Sequence, residues 1–212
     1  MPLFVLEGVD GAGKTTQLRE ISQVLTHRGW PVTTLAFPSS FFERWRSSVF
    51  DHPLTPATAI MLHMADFDFH TDQLTCPHHV LLLDRYYFST AVYQSVPPIL
   101  PSDILSLAHH LHLPKPDLCF LLNPPESSIQ HRLKDEDLPL LESGRWHQLR
   151  EQYISLATAD PSRWDMIDSS FPVPDITAHI VSRMETWLKE YTPSLQTGPS
   201  RSPLTPPLFC SR

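Results

Sequence analysis

A chain of 212 residues with 41% hydrophobic and 18% charged content has enough apolar material for one well-buried core, which excludes a disordered or fibrous class. Its formal net charge of -7, with only 16 Lys and Arg, argues against a general nucleic-acid binder, because backbone phosphates need a basic face. A small phosphorylated ligand needs only a local positive pocket and stays open.

In chain order, Leu3–Leu6 reads as a buried strand, far too short for a signal or membrane helix. No basic targeting segment precedes it, so a soluble protein of the cytoplasm or an organellar matrix, with no membrane partner, is expected. Leu18, Ile21, Val24 and Leu25 then fall on one helical face. Further strands are predicted at Val32–Phe37, Val80–Leu83, Leu118–Leu122 and Trp164–Ile167, several of them apolar at consecutive positions, as parallel strands buried on both faces require. Ile176, Ile180, Met184 and Leu188 repeat every four residues and mark a last amphipathic helix. Strands separated by helices imply right-handed crossovers, hence an α/β fold with a five-stranded parallel sheet between two helical layers. The domain is expected to span residues 1–190. Residues 191–212, rich in Pro, Ser and Thr without periodicity, read as a disordered tail.

Cys76, Cys119 and Cys210 form no close pair, so a disulfide framework is not expected, and Cys119 lies in an apolar run. The densest histidine groups, His109-His110-Leu111-His112 and Cys76-Pro77-His78-His79, lack a second ligand pair at zinc-finger spacing. Trp45, Trp146, Trp164 and Trp187 read as core or interface residues.

The chemistry is carried by Gly8-Val9-Asp10-Gly11-Ala12-Gly13-Lys14-Thr15, which fits the P-loop pattern G-x-x-x-x-G-K-[ST] at every fixed position and continues into Thr16. Glycines let the backbone wrap around phosphate with amide hydrogens pointing inward, and the helix that follows adds its positive end. Lys14 is expected to span the β- and γ-phosphates of ATP, and the Thr15 hydroxyl to help hold Mg²⁺. A second element, Val80-Leu81-Leu82-Leu83-Asp84-Arg85, places an acid at the end of a buried strand, where it would serve Mg²⁺. Arg85 beside it offers a bidentate grip for an acceptor phosphate. Tyr86, Tyr87, Phe88 and Tyr93 form an aromatic cluster in which part would line an acceptor pocket and part would be core.

With these two motifs and Leu113-Pro114-Lys115-Pro116-Asp117-Leu118, the chain resembles the thymidylate kinase family over nearly everything before the tail. The resemblance implies ATP-dependent phosphorylation of a nucleoside monophosphate, a short lid after the fourth strand and a homodimer. It places Asp10 near the acceptor sugar, and Asp84 and Arg85 at magnesium and acceptor phosphate. Two departures stand out. The aromatic that stacks on thymine in that family, and the arginine four positions later that reads it, align with His63 and Phe67, so the reading arginine is absent. A phenyl ring has no donors to replace it. The run from Phe37-Pro38-Ser39-Ser40 to Phe50-Asp51-His52-Pro53 looks more like the mitochondrial UMP-CMP kinase branch, which also lacks that arginine. Phe37, His63, Phe67, Arg85, Tyr93 and Asp10 are therefore the expected acceptor contacts, with dTMP, dUMP, UMP and dCMP or CMP as the acceptors in view.

The second departure is the lid, Gln130 to Glu142, which is short and mostly acidic. Arg132 is the expected cation over the transferring phosphoryl, with Lys134 and Arg145 behind it. Two other readings compete. A nucleoside kinase would use Glu7 as base at a 5′-hydroxyl, and a degenerate nucleotide-binding regulator would bind ATP without turnover.

Overall fold

The computed structural model describes residues 2–49, 53–75, 80–129, 132 and 143–191. Five strands, β1 (Leu3–Glu7), β2 (Val32–Ala36), β3 (Val80–Asp84), β4 (Leu118–Leu122) and β5 (Trp164–Ile167), pair in the order β2-β3-β1-β4-β5, all parallel. The three central strands are buried at every position, which is why their sequences are apolar without alternation. The outer strands β2 and β5 carry mixed residues because each has one neighbour and partial cover. β2 ends one residue before its expected limit, because Pro38 has no N–H with which to continue a ladder.

The helices are α1 (Lys14–His27), α2 (Ser40–Val49), α3 (Pro56–Phe69), α4 (Thr71–Leu74), α5 (Tyr87–Gln94), α6 (Pro101–His110), α7 (Glu126–Ile129), α8 (Arg145–Ala159) and α9 (Val173–Tyr191). α1 packs against α9, while α5 packs against α3, α6 and α8, giving the expected three-layer P-loop architecture. The four-residue repeat of α9 buries Ile176, Ile180, Met184 and Leu188, each at 4% exposure or less. Each such side chain contributes roughly 1.5–3 kcal/mol of transfer free energy. The Ile21 and Leu25 stripe of α1 is likewise buried.

Trp146 and Trp164 are core residues and Trp187 meets Phe4 edge-on, whereas Trp45 on α2 is exposed. Cys119 is buried and free in β4. No helix among the described residues is long and apolar enough to cross a membrane. The tail beyond Tyr191 and all of the predicted lid except Arg132 lie outside the described residues, as does Cys76-Pro77-His78-His79.

Register brings the chemistry together. Leu6 of β1 lies beside Asp84 of β3 and Phe120 of β4, so the P-loop, the Asp84-Arg85 step and the end of β4 share one rim of the sheet. Ligands of open α/β sheets bind at such carboxyl ends, where the strand order reverses about its first strand.

Candidate active site

The P-loop leaves β1 at Gly8, whose φ of +140° suits glycine alone. A Cβ there would stand 2.5 Å from the carbonyl oxygen of Leu122. The loop enters α1 through Gly13, also left-handed, and no side chain caps the helix and no acid occupies its first turn. The first-turn N–H groups of α1 are thus left for an anion. Lys14, 6% exposed, donates from Nζ to the carbonyl oxygens of Gly8 (2.9 Å) and Val9 (2.8 Å). An ammonium has three hydrogens, so one remains for the cavity that Lys14 lines. Burial, reinforced by the nearby Arg85 guanidinium, pulls the Lys14 ammonium down to about 8.

That cavity measures about 710 Å³ and is walled by Asp10 through Gln17, by Asp84 and Arg85, and at its far end by Arg132, Ser169, Phe171, Val173 and Ile176. The Thr15 hydroxyl donates to Asp84 Oδ2 across 2.7 Å, bringing a hydroxyl and a carboxylate together on its wall. Two hard oxygen donors beside a phosphate cradle suit Mg²⁺, which takes one or two protein oxygens and completes its shell with phosphate and water. Arg132 Nη1 donates to the carbonyl of Ser169 (2.8 Å), which places this cation at the Ser169–Phe171 end of the cavity.

A second cavity of about 230 Å³ adjoins the first and shares Asp10, Phe37 and Arg85 with it. Pro38, His63, Phe67, Tyr86, Ser89, Thr90, Tyr93 and Gln94 complete its walls. Phe67 meets Phe37 and Tyr86 edge-on, at 4.8 and 5.0 Å between centroids. His63 stacks on Phe42 at 4.6 Å and 9°. Burial and the charge of Arg85 push the imidazole down to about 4, so at neutral pH it is an uncharged flat ring. Beneath this wall the buried Asp66 accepts from the backbone N–H and hydroxyl of Ser39, fixing the turn that carries Phe37 and Pro38.

Arg85 sits at the junction of the two cavities with a left-handed backbone, φ +68°. Such a conformation costs a non-glycine residue roughly 1 kcal/mol or more and marks functional positions. Its Nη2 pairs with Asp10, its Nη1 faces Gly8 O (3.2 Å) and Ser89 Oγ (3.2 Å), and its guanidinium lies 5.1 Å from the Tyr93 ring centre. Asp10 also accepts from the Tyr93 hydroxyl at 2.8 Å. Burial alone would raise the Asp10 carboxyl, but Arg85 and then Lys14 hold it below the usual carboxylate range.

Behind this junction lies Glu7, fully buried and lining neither cavity. It accepts from the N–H of Tyr86 (2.9 Å), the hydroxyl of Ser89 (2.6 Å) and the hydroxyl of Tyr153 (3.1 Å). Burial pushes its carboxyl up to about 7 against these bonds and the charge of Arg85.

Every residue from Asp10 to Thr16, with Asp84, Arg85 and Arg132, thus borders the larger cavity, and Asp10, Phe37, His63, Phe67, Arg85 and Tyr93 all border the smaller. Gly8 and Val9 supply carbonyls to Lys14 rather than cavity wall. Of the reserve cations, Arg145 donates to the carbonyl of Tyr93 (3.1 Å), and Lys134 lies outside the described residues. Ser89, Thr90, Gln94, Tyr153, Ser169 and Phe171 escaped the sequence reading. Ser89, Thr90 and Gln94 lie among or beside the aromatic cluster of Tyr86 to Tyr93 and were within reach of that reading. Tyr153 and Phe171 carry no local signal, because only the fold brings them to Arg85 and to the P-loop.

Residues 6–180 match the family model described as thymidylate kinase. The chain is 29% identical to a thymidylate kinase of Chlorobium chlorochromatii over 216 aligned residues, covering 88% of this chain and 96% of that protein. It is 30% identical to the thymidylate kinase of Geotalea uraniireducens, covering 85% and 97% of the two chains. It is 29% identical to a probable thymidylate kinase of Archaeoglobus fulgidus, covering 88% and 96%.

Proposed function

Because the chain belongs to the thymidylate kinase family, and so is a nucleoside monophosphate kinase with ATP as donor, we propose that its acceptor is a pyrimidine nucleoside monophosphate, dTMP foremost. The single observation that carries this reading is Arg85 at the meeting point of the two cavities, where an acceptor phosphate held in the smaller one would face a γ-phosphate held in the larger.

In this mechanism the backbone of Gly11, Gly13 and the first turn of α1 cradles the β-phosphate of ATP, and Lys14 shifts from its loop carbonyls to span β and γ. Arg85 orients the acceptor phosphate, whose oxygen attacks the γ-phosphorus in line as the bond to ADP breaks. The acceptor is already an anion, so no general base is required and catalysis rests on position and charge. Thr15 and Asp84 are the proposed holders of Mg²⁺, which when bound neutralises charge on the phosphates. Arg132 supplies positive charge at the donor side. Asp10 and Tyr93 face the acceptor sugar, while Phe37, His63 and Phe67 enclose the base.

The relatives' names favour dTMP. The absence of a base-reading arginine favours wider use of UMP or CMP, as in the UMP-CMP branch, because an apolar aromatic wall discriminates weakly between pyrimidines. A second copy of the chain is the proposed partner, supported by Trp45, Met61 and Phe69 standing exposed on α2 and α3. The nucleoside kinase reading loses support because Glu7 is buried, thrice bonded and borders neither cavity. An ATP-binding regulator has no use for Arg85 at the junction.

The deciding experiment measures ADP release with Mg-ATP against dTMP, dUMP, UMP, dCMP and CMP, with thymidine and no acceptor as controls. Turnover led by dTMP and abolished in Lys14→Ala and Arg85→Ala supports the reading. Equal turnover of CMP and UMP moves the acceptor to the wider class, and ATP binding without any turnover overturns the kinase.

A further inference from the structure

A guanidinium that must meet a phosphate with two parallel bonds has to be aimed as well as present. Arg85 is aimed from behind by three elements, the end of β1, α5 and α8. Its Nη1 lies 3.2 Å from Ser89 Oγ and 3.5 Å from the Tyr153 hydroxyl, and those two oxygens are 2.7 Å apart. The hydrogen positions follow from what each group can donate. Ser89 has one hydroxyl hydrogen, and the shortest contact sends it to Glu7 Oε2 at 2.6 Å. Its oxygen is then left to accept, from Tyr153 and from Arg85. The Tyr153 hydrogen turns to Ser89 or to Glu7, 3.1 Å away, and in either case its oxygen lone pairs face Nη1. When ionised, the Glu7 carboxylate can only accept and thereby gives the whole relay one direction. Glu7 (0% exposed) and Tyr153 (1%) are sealed from solvent, so water cannot supply alternative partners.

We propose that Glu7, Ser89 and Tyr153 are positioning residues that fix the guanidinium of Arg85 for the acceptor phosphate, an inference that rests on the reading of Arg85 given above. Tyr153 is the least expected member, coming from a helix with no motif of its own. None of the three touches the reacting atoms. Glu7 and Tyr153 border neither cavity, so their effect reaches the acceptor only through Arg85, whereas Ser89 also borders the smaller cavity.

The test compares the affinity of the full chain for dTMP with that for thymidine, by calorimetry in the presence of Mg-ADP, and takes the ratio as the reading of phosphate recognition. If another monophosphate leads the acceptor panel, that monophosphate and its nucleoside are the probes. Ser89→Ala and Tyr153→Phe are expected to lower the ratio by about tenfold, the scale of a hydrogen bond to a charged group, and Tyr153→Phe, at a residue that borders neither cavity, to leave thymidine and Mg-ADP binding unchanged. Ser89→Thr, which keeps a hydroxyl, should restore it. A ratio unmoved in both variants while Arg85→Ala collapses it overturns the positioning role. A ratio that survives Arg85→Ala overturns the reading of Arg85 instead. Should Tyr153→Phe prove unstable, Ser89→Ala, the smaller deletion, decides alone.

Discussion

The two cavities that meet at Arg85 are assembled in opposite ways. The largest single share of the larger is one continuous stretch, Asp10 to Gln17, where the work falls to backbone groups and the start of α1. The smaller draws side chains from the loop after β1, the turn after β2, α3, the step after β3 and α5, and rings from four of these meet in its walls beside a few polar side chains. A phosphate is the same in every nucleotide, so a backbone cradle can be written as a local pattern. A base is not, and a pocket for it is a product of packing. The P-loop pattern is accordingly intact here, whereas the smaller cavity, the proposed base pocket, has His63 and Phe67 at the positions that align with the family's stacking aromatic and reading arginine.

The sharpest way to break that comparison is at Lys14. Lys14→Ala removes the cation proposed to meet the charge that develops on the γ-phosphoryl, and a fall in kcat of about a hundredfold or more is expected. Acceptor affinity should be little changed, because Lys14 borders the larger cavity and not the smaller. Parallel loss of acceptor binding would mean that the two cavities do not act as separate sites.

An effect of similar size is expected in the pH dependence of stability, where one titrating group behind the P-loop opposes one in the smaller cavity. The Glu7 carboxyl is raised from 4.5 to about 7, so between those values the folded chain holds a proton that the unfolded chain has released, and stability falls as pH rises. His63 is lowered from 6.5 to about 4, so in its window the unfolded chain holds the extra proton and stability rises with pH. The two slopes oppose each other wherever the windows overlap. Glu7→Gln should therefore steepen the rise of stability with pH, and His63→Phe should steepen the fall. The Glu7 term amounts to about 3 kcal/mol across its window, and the half-buried His63 term to less. Urea midpoints across mildly acid to neutral pH read both slopes. Two variants with the same slope would show that the buried carboxyl and the imidazole do not titrate as their surroundings dictate.

What was legible in the sequence follows the same division. All five strands were readable to within a residue, the central three because buried parallel strands are apolar without interruption, and the inner face of α9 was readable because Ile176, Ile180, Met184 and Leu188 keep strict spacing. The P-loop and Asp84-Arg85 were readable because each is contiguous. Tyr153 was not, since its neighbours Gln152 and Ile154 look like any amphipathic helix and its hydroxyl reaches Glu7 only by folding across a sequence separation of 146. The left-handed backbone of Arg85 was also invisible, because arginine carries no preference for it.

The smallest expected effect concerns the base pocket itself. His63 stacks on Phe42 nearly parallel and approaches Phe67 at 6.4 Å and 22°, so it extends a ladder of flat faces toward the cavity. Such ring pairs contribute roughly 0.5–1.5 kcal/mol beyond area burial, which sets an expected rise in acceptor KM of about threefold to tenfold for His63→Ala, with the KM for ATP unaffected. His63→Phe should keep most of the affinity, because a ring held neutral to about pH 4 acts by shape and not by charge. The decisive observation is the acceptor KM from mildly acid to neutral pH. If His63 is only a flat ring, wild type and His63→Phe give profiles of the same form, each bent only by groups that both possess. A bend present in wild type and missing in His63→Phe would mean that the imidazole gains a proton during catalysis, and the base pocket would then share the charge-based chemistry of the donor cavity.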